Sequence, residues 1–81
     1  MMKEGYRQMI QIGSNVTSIM KLQCVSSCRK KLDGSLYYVL DIWGDDGNRL
    51  EARQGDWLCQ DYDGVWSLRK DNDIKDEKAD N

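Results

Sequence analysis

Apolar and polar positions alternate along residues 6–12: Tyr6, Gln8, Ile10 and Ile12 fall on one side, Arg7, Met9 and Gln11 on the other. A period of two is that of a strand with one face against a core. Gly13, Ser14 and Asn15 interrupt the pattern, and Ser or Asn at such a point accepts hydrogen bonds from the free amides of a starting helix. Val16, Ile19, Met20 and Cys24 then recur at helical spacing, which predicts a short helix over residues 15–24 with one apolar stripe. A helix of that length depends on packing against the rest of the chain.

From Val25 the period returns to two. Strands are predicted over residues 25–31, 36–43, 49–54, 57–62 and 65–70, separated by turn signals that include Asp33-Gly34, Asp46-Gly47 and Asp63-Gly64. Asp-Gly favours tight hairpins because both residues tolerate positive φ. Residues 36–43 are apolar on both sides of the alternation, so they form the central strand, covered on one face by the helix. Gly55 lets the chain turn sharply before Asp56, whose side chain is placed to bond a nearby amide. The expected fold is α+β: one short helix packed on a twisted antiparallel β-meander, in the order β-α-β-β-β-β. Residues 1–70 make a single domain, and residues 71–81, with only Ile74 and Ala79 apolar, make a disordered acidic tail.

Composition sharpens this picture. A chain of 81 residues buries only about 60–65 % of its unfolded surface, which supports one small core. Phe is absent, so three Trp and four Tyr supply the large apolar areas. No stretch approaches the roughly 20 apolar residues of a membrane span, and the first residues lack the apolar run of a signal peptide. Cys24, Cys28 and Cys59 are an odd set, read as free thiols in a reducing cytosol. The net charge of −2 is uneven: residues 71–81 hold five acidic residues against two lysines, and the remainder is nearly balanced. Neither part argues strongly for a polyanionic partner.

The chemistry-bearing residues are few. There is no His, which removes the usual near-neutral general base and the activation of Ser or Cys by imidazole. Asp56, Asp61 and Asp63 are close enough in sequence to form a carboxylate pair, but read better as turn and cap residues. Cys24 and Cys28, four apart, with Cys59, offer three thiolates to zinc, yet Cys24 falls on the helix's core stripe and free buried cysteines are the better account. The segments containing Asp61-x-Asp63-Gly64 and Asp45-Asp46-Gly47-Asn48 lack the spacing of a calcium loop. No enzyme activity, metal or cofactor is expected.

Gly55-Asp56-Trp57-Leu58, followed by Asp63-Gly64-Val65-Trp66, resembles a family of small bacteriophage and prophage proteins with a "PGDY/PGDW" motif. In that family Gly-Asp-aromatic opens a strand and a Gly-x-aromatic hairpin closes the chain. Residues 9–16 are similar to the family's opening strand and helix start. Gln54 stands where the family has proline, and Arg69 near where it has cysteine. The resemblance implies a structural role for Gly55, Asp56, Trp57, Gly64 and Trp66 and a phage or mobile-element origin, which would place the chain in a host cytosol. It implies no reaction.

What remains is recognition. Tyr37, Tyr38, Trp43, Trp57, Tyr62 and Trp66 are more large rings than one small core encloses, and exposed rings beside arginine have the composition of interface hot spots. Tyr37, Trp43, Tyr62 and Arg53 are the candidate contacts, with Trp43 and Tyr62 foremost. The first expectation is a non-enzymatic accessory protein that binds a host or phage protein, for example as an inhibitor. The alternative is a single-stranded nucleic-acid binder using Arg29, Lys30, Lys31, Arg49, Arg53, Arg69 and Lys70 with the tyrosines. A homodimer through an open sheet edge is a third expectation.

Overall fold

The computed structural model of the chain describes residues 5–74. Its elements run β1 (Tyr6–Gln11), α1 (Val16–Met20), β2 (Val25–Lys30), β3 (Leu36–Trp43), β4 (Arg49–Arg53), β5 (Trp57–Asp61) and β6 (Trp66–Arg69). The strands form two antiparallel three-stranded sheets, in the orders β1-β5-β6 and β2-β3-β4. The α+β class and the antiparallel pairing follow the sequence pattern. The described residues hold six strands, matching the six predicted ranges but one more than the order β-α-β-β-β-β, and the meander breaks after β4.

The break has a local cause. Gly55 takes φ +96°, and the Asp56 N–H closes the turn on the Arg53 carbonyl at 3.0 Å. The Gly55 N–H then reaches the Ile12 carbonyl at 2.8 Å, and the Ile12 N–H reaches the Asp56 carbonyl at 2.8 Å. Residues 55–56 therefore extend the ladder of β1 rather than of β4. Asp56, 8 % exposed, fixes the departure by taking the Arg53 N–H on its carboxylate at 3.0 Å.

The two sheets enclose one core of Ile12, Ile19, Cys24, Tyr38, Leu40, Ala52 and Leu58. β3 is the central strand of its sheet, as its apolar run predicts. Tyr38 and Leu40 point inward into the same buried cluster as Ile12, Leu58 of β5 and Ile19 of the helix, so the helix is only part of the cover. By alternation Tyr37, Val39, Asp41 and Trp43 point away from the core.

Three expectations are corrected. The helix spans Val16–Met20, not residues 15–24. Residues 21–24 continue as a turn that carries buried Cys24 to the start of β2, and Met20 is exposed. Asn15 makes no side-chain cap. Its amide reaches backward, accepting the Gly13 N–H at 2.9 Å and donating to the Gln11 carbonyl at 3.2 Å, and so shapes the bend after β1. Finally, residues 71–74 form a helical turn in which Ile74 is 2 % exposed. Asp71 accepts from the Trp57 indole at 3.0 Å and from the Gln11 amide at 3.3 Å. The rest of the expected tail, 75–81, lies outside the described residues.

The Asp-Gly turns adopt one repeated geometry. In the first, the Gly34 N–H meets the Lys31 carbonyl at 3.0 Å, and the Lys31 N–H meets the Ser35 carbonyl at 2.8 Å. Residues 44–48 and 61–65 repeat both bonds. Among the described residues only glycines have positive φ. These are therefore three-residue loops, a type I turn followed by a left-handed glycine, and not two-residue turns with Asp and Gly both at positive φ.

Candidate functional site

The outward face of β2-β3-β4 gathers most of the candidate contacts. Arg29 on β2 and Arg53 on β4 are the cross-strand neighbours of Tyr37. Both arginines are exposed and Tyr37 is half-buried between them. The Lys31 ammonium lies 5.7 Å from the centre of the Tyr37 ring. Three cations thus surround one phenol, with no acidic neighbour in that cross-strand row.

Further along β3, Val39 lies between Ser27 and Glu51. At the far end, Trp43 pairs across the ladder with Arg49, whose guanidinium sits 5.1 Å over the indole. The Arg49 Nε also approaches the Asp41 carboxylate at 3.9 Å. Trp43 keeps 61 % of its surface exposed in spite of that cover. The face is therefore graded: cationic around Tyr37, locally acidic around Glu51 and Asp41, and aromatic at Trp43.

An open hollow of about 300 Å³ adjoins the Trp43 end, lined by Gln23, Cys24, Asp41, Ile42, Trp43, Val65 and Trp66. Asp41 and Trp43 belong both to its wall and to the outward face, so the two surfaces are continuous. Val65 is 60 % exposed. The Trp66 indole N–H is buried without a hydrogen-bond partner among the described residues.

Tyr62 is 71 % exposed but stands on the turn between β5 and β6, in the other sheet, and does not join the outward row of β3. Tyr37, Trp43 and Arg53 are brought to one face; Tyr62 is not. The Trp43–Arg49 stack lay hidden in the sequence, because it depends on how the 44–48 loop sets the register. The five-residue spacing around Asp46-Gly47 was its only signal.

Gly55, Asp56 and Trp57 form a clasp among β1, β4, β5 and the end of β6. Besides the Arg53 N–H, Asp56 receives the Lys70 ammonium at 3.0 Å. The Gln11 side-chain amide donates to the Gly55 carbonyl at 3.1 Å. Gly64 supplies the positive φ, +88°, of the last hairpin, and Trp66 follows it into β6. Arg69 bonds the Tyr6 hydroxyl and faces that ring, which commits it to the β1-β5-β6 sheet.

Of the carboxylates considered for catalysis, Asp56 is separated from Asp61 and Asp63, which share one turn. Asp56 precedes β5 and Asp61 ends it, about 17 Å along an extended strand. Asp61 accepts the N–H groups of Asp63 and Val65 at 2.9 and 3.0 Å, so it organises its own turn. The thiols are dispersed as well: Cys24 precedes β2, Cys28 opposes Tyr38 within the β2–β3 pair, and Cys59 is enclosed in β5. Burial pushes the Cys24 thiol up to about 11, and burial first, then the Cys28 thiol, raises Tyr38. Among the described residues no three Cys, Asp or Glu side chains gather to hold a metal ion. No helix among them is long and apolar enough to cross a membrane.

Comparison with protein-family models, with curated proteins and with solved structures gives no match to this chain.

Proposed function

We propose that this chain is a small non-enzymatic binding protein that docks a partner protein on the outward face of β2-β3-β4. The observation that carries this reading is the row Arg29–Tyr37–Arg53 with Lys31 over the ring, on the same face as the exposed Trp43. Aromatic and arginine side chains on a rigid sheet bind with little loss of conformational freedom, and they dominate measured hot spots. The phage or mobile-element origin, and with it a host or phage partner and an inhibitory role, rest on the Gly55-Asp56-Trp57 and Gly64-Val65-Trp66 resemblance. The odd set of three cysteines favours a reducing cytoplasm.

Affinity capture from host lysate tests the reading, with wild type beside Trp43→Ala, Arg53→Glu and Tyr62→Ala. The expected result is one stoichiometric protein lost with the first two variants and retained with the third. Unchanged capture by both Trp43→Ala and Arg53→Glu overturns it.

The second reading, a single-stranded nucleic-acid binder, draws on the same cations. It is disfavoured by the ring faces: Lys31 already covers Tyr37 and Arg49 already covers Trp43, where bases would have to stack. Nucleic acid carried through purification, with affinity falling steeply as salt rises, would favour it. A homodimer has the edge strands β1, β6, β2 and β4 to use, and light scattering on the purified chain measures it.

A further inference from the structure

The graded charge of the outward face restricts what can lie on it. β3 presents Tyr37, Val39, Asp41 and Trp43 at every second residue, so Tyr37 and Trp43 are about 20 Å apart along the strand. The Tyr37 end is ringed by Arg29, Lys31 and Arg53. The Trp43 end opens into the hollow with Ile42 and Val65 on its wall. Between them, Glu51 beside Val39 is exposed, and the Asp41 carboxylate is only partly matched by Arg49 at 3.9 Å. A ligand lying along β3 therefore meets cations first, then anions, then the Arg49-covered Trp43 with the apolar recess beside it.

Resting on the binding reading above, we infer that the occupant is an extended protein segment with acidic side chains at one end and an apolar side chain about six residues away. The acidic end sits on Arg29, Lys31 and Arg53, and the apolar side chain enters the hollow beside Trp43. An extended segment rises by the same amount per residue as β3, so six of its residues span the two anchors. Charge complementarity selects the occupant. A nucleic-acid strand carries an anion at every nucleotide and would place phosphates over Glu51 and Asp41, whereas a protein segment confines its anions to one end. The arginine forks at the Tyr37 end suit carboxylates because they hold both oxygens.

Fluorescence anisotropy with labelled synthetic nonapeptides tests this. Each peptide carries two adjacent glutamates and one leucine in a serine and threonine background, separated by six residues or by two, and each spacing is made in both chain directions. An oligothymidylate of similar length is the comparison ligand. The expected result is that one direction of the six-residue spacing binds about tenfold tighter than the two-residue spacing of the same composition, a difference of about 1.4 kcal/mol. Arg53→Glu weakens binding of all the peptides, and Trp43→Ala removes the spacing preference. Both sites are exposed, and circular dichroism checks that the variants stay folded. Equal affinity for both spacings, no binding to any peptide, or tighter binding of the oligothymidylate overturns the inference. If lysate capture still loses its protein with Trp43→Ala while the peptides show no spacing preference, the segment is wrong and the binding face stands. If capture is also indifferent to Trp43 and Arg53, the face itself is wrong.

Discussion

Asp56 takes the main-chain N–H of Arg53 on its carboxylate at 3.0 Å, and in doing so it turns the chain out of one sheet and into the other. The same oxygen receives the Lys70 ammonium at 3.0 Å. The two bonds differ in weight, because the Asp56 side chain is 11 % exposed and that of Lys70 59 %. Removing the carboxylate leaves a half-buried N–H without its acceptor, so Asp56→Ala is expected to cost about 1–3 kcal/mol. Lys70→Met removes only a solvated ion pair and costs less than about 1 kcal/mol. Asp56→Asn retains an acceptor for the N–H and falls between. Urea denaturation of the three variants measures the order, and an Asp56→Ala midpoint equal to that of Lys70→Met would refute it.

Ile74 marks where composition misleads. Residues 71–81 are so polar that the whole segment reads as a solvated tail, yet one isoleucine is enough to seat a helical turn when Asp71 also bonds Trp57. Ile74→Ala should destabilise by about 2–3 kcal/mol, in the range for buried aliphatic truncations. Leu32→Ala, at a turn position that is fully exposed, should stay within about 0.5 kcal/mol of wild type. Thermal melts of the two variants side by side check this. Equal melting temperatures would mean that the turn carries no stability.

The strands were legible because their period of two survives wherever one face is buried. Tyr38 and Leu40 inward, with Tyr37, Asp41 and Trp43 outward, is what alternation predicts. The division into two sheets was not legible, since nothing in the sequence of Gly55 and Asp56 tells that their backbone bonds belong to Ile12 rather than to the preceding strand. Half of the candidate face was legible in the same sense. Tyr37 and Arg53 could be named from residue type, but their adjacency depends on the register of β3 against β4, which the 44–48 loop and the irregularity between Val39 and Trp43 set together. Tyr62 was chosen by the same compositional rule and falls on the other sheet.

The cysteines give a prediction in chemical reactivity. Burial pushes Cys24 from the ordinary 9.0 up to about 11, so its thiol stays protonated in the native protein. Cys59 is wholly enclosed and Cys28 only partly. With a disulfide-exchange reagent at pH 8, one thiol should react quickly and two only as fast as the chain opens, and mass mapping should place the fast one at Cys28. The same shift has a consequence for stability. Because the folded value lies above the unfolded one, the contribution of Cys24 is complete below about pH 9 and is lost as pH rises toward 11. Cys24→Ala should flatten that alkaline decline, and a decline of the same steepness would show that it has another source.

Acid should act through the hairpin loops. The Asp33 carboxylate accepts the Ser35 hydroxyl at 2.6 Å and its N–H at 2.9 Å, and these bonds hold its pKa below the ordinary 3.8. The Asn48 N–H at 3.0 Å and its side-chain amide at 3.3 Å do the same for Asp46. A folded value below the unfolded one means that the unfolded chain binds the proton more readily. The stabilisation is therefore present above the ordinary carboxylate range and is lost as pH falls through the lower, folded values. Both side chains are fully solvated, so the effect is small and weakened by salt. Carboxyl-carbon chemical shifts followed by NMR from pH 6 to 2 should show both Asp33 and Asp46 titrating below the ordinary 3.8. Replacing the bonding partner, as in Ser35→Ala, should return Asp33 toward 3.8 while leaving Asp46 unmoved. If Asp33 titrates at the same pH with and without the Ser35 hydroxyl, that hydrogen bond is not what holds the loop's carboxylate down.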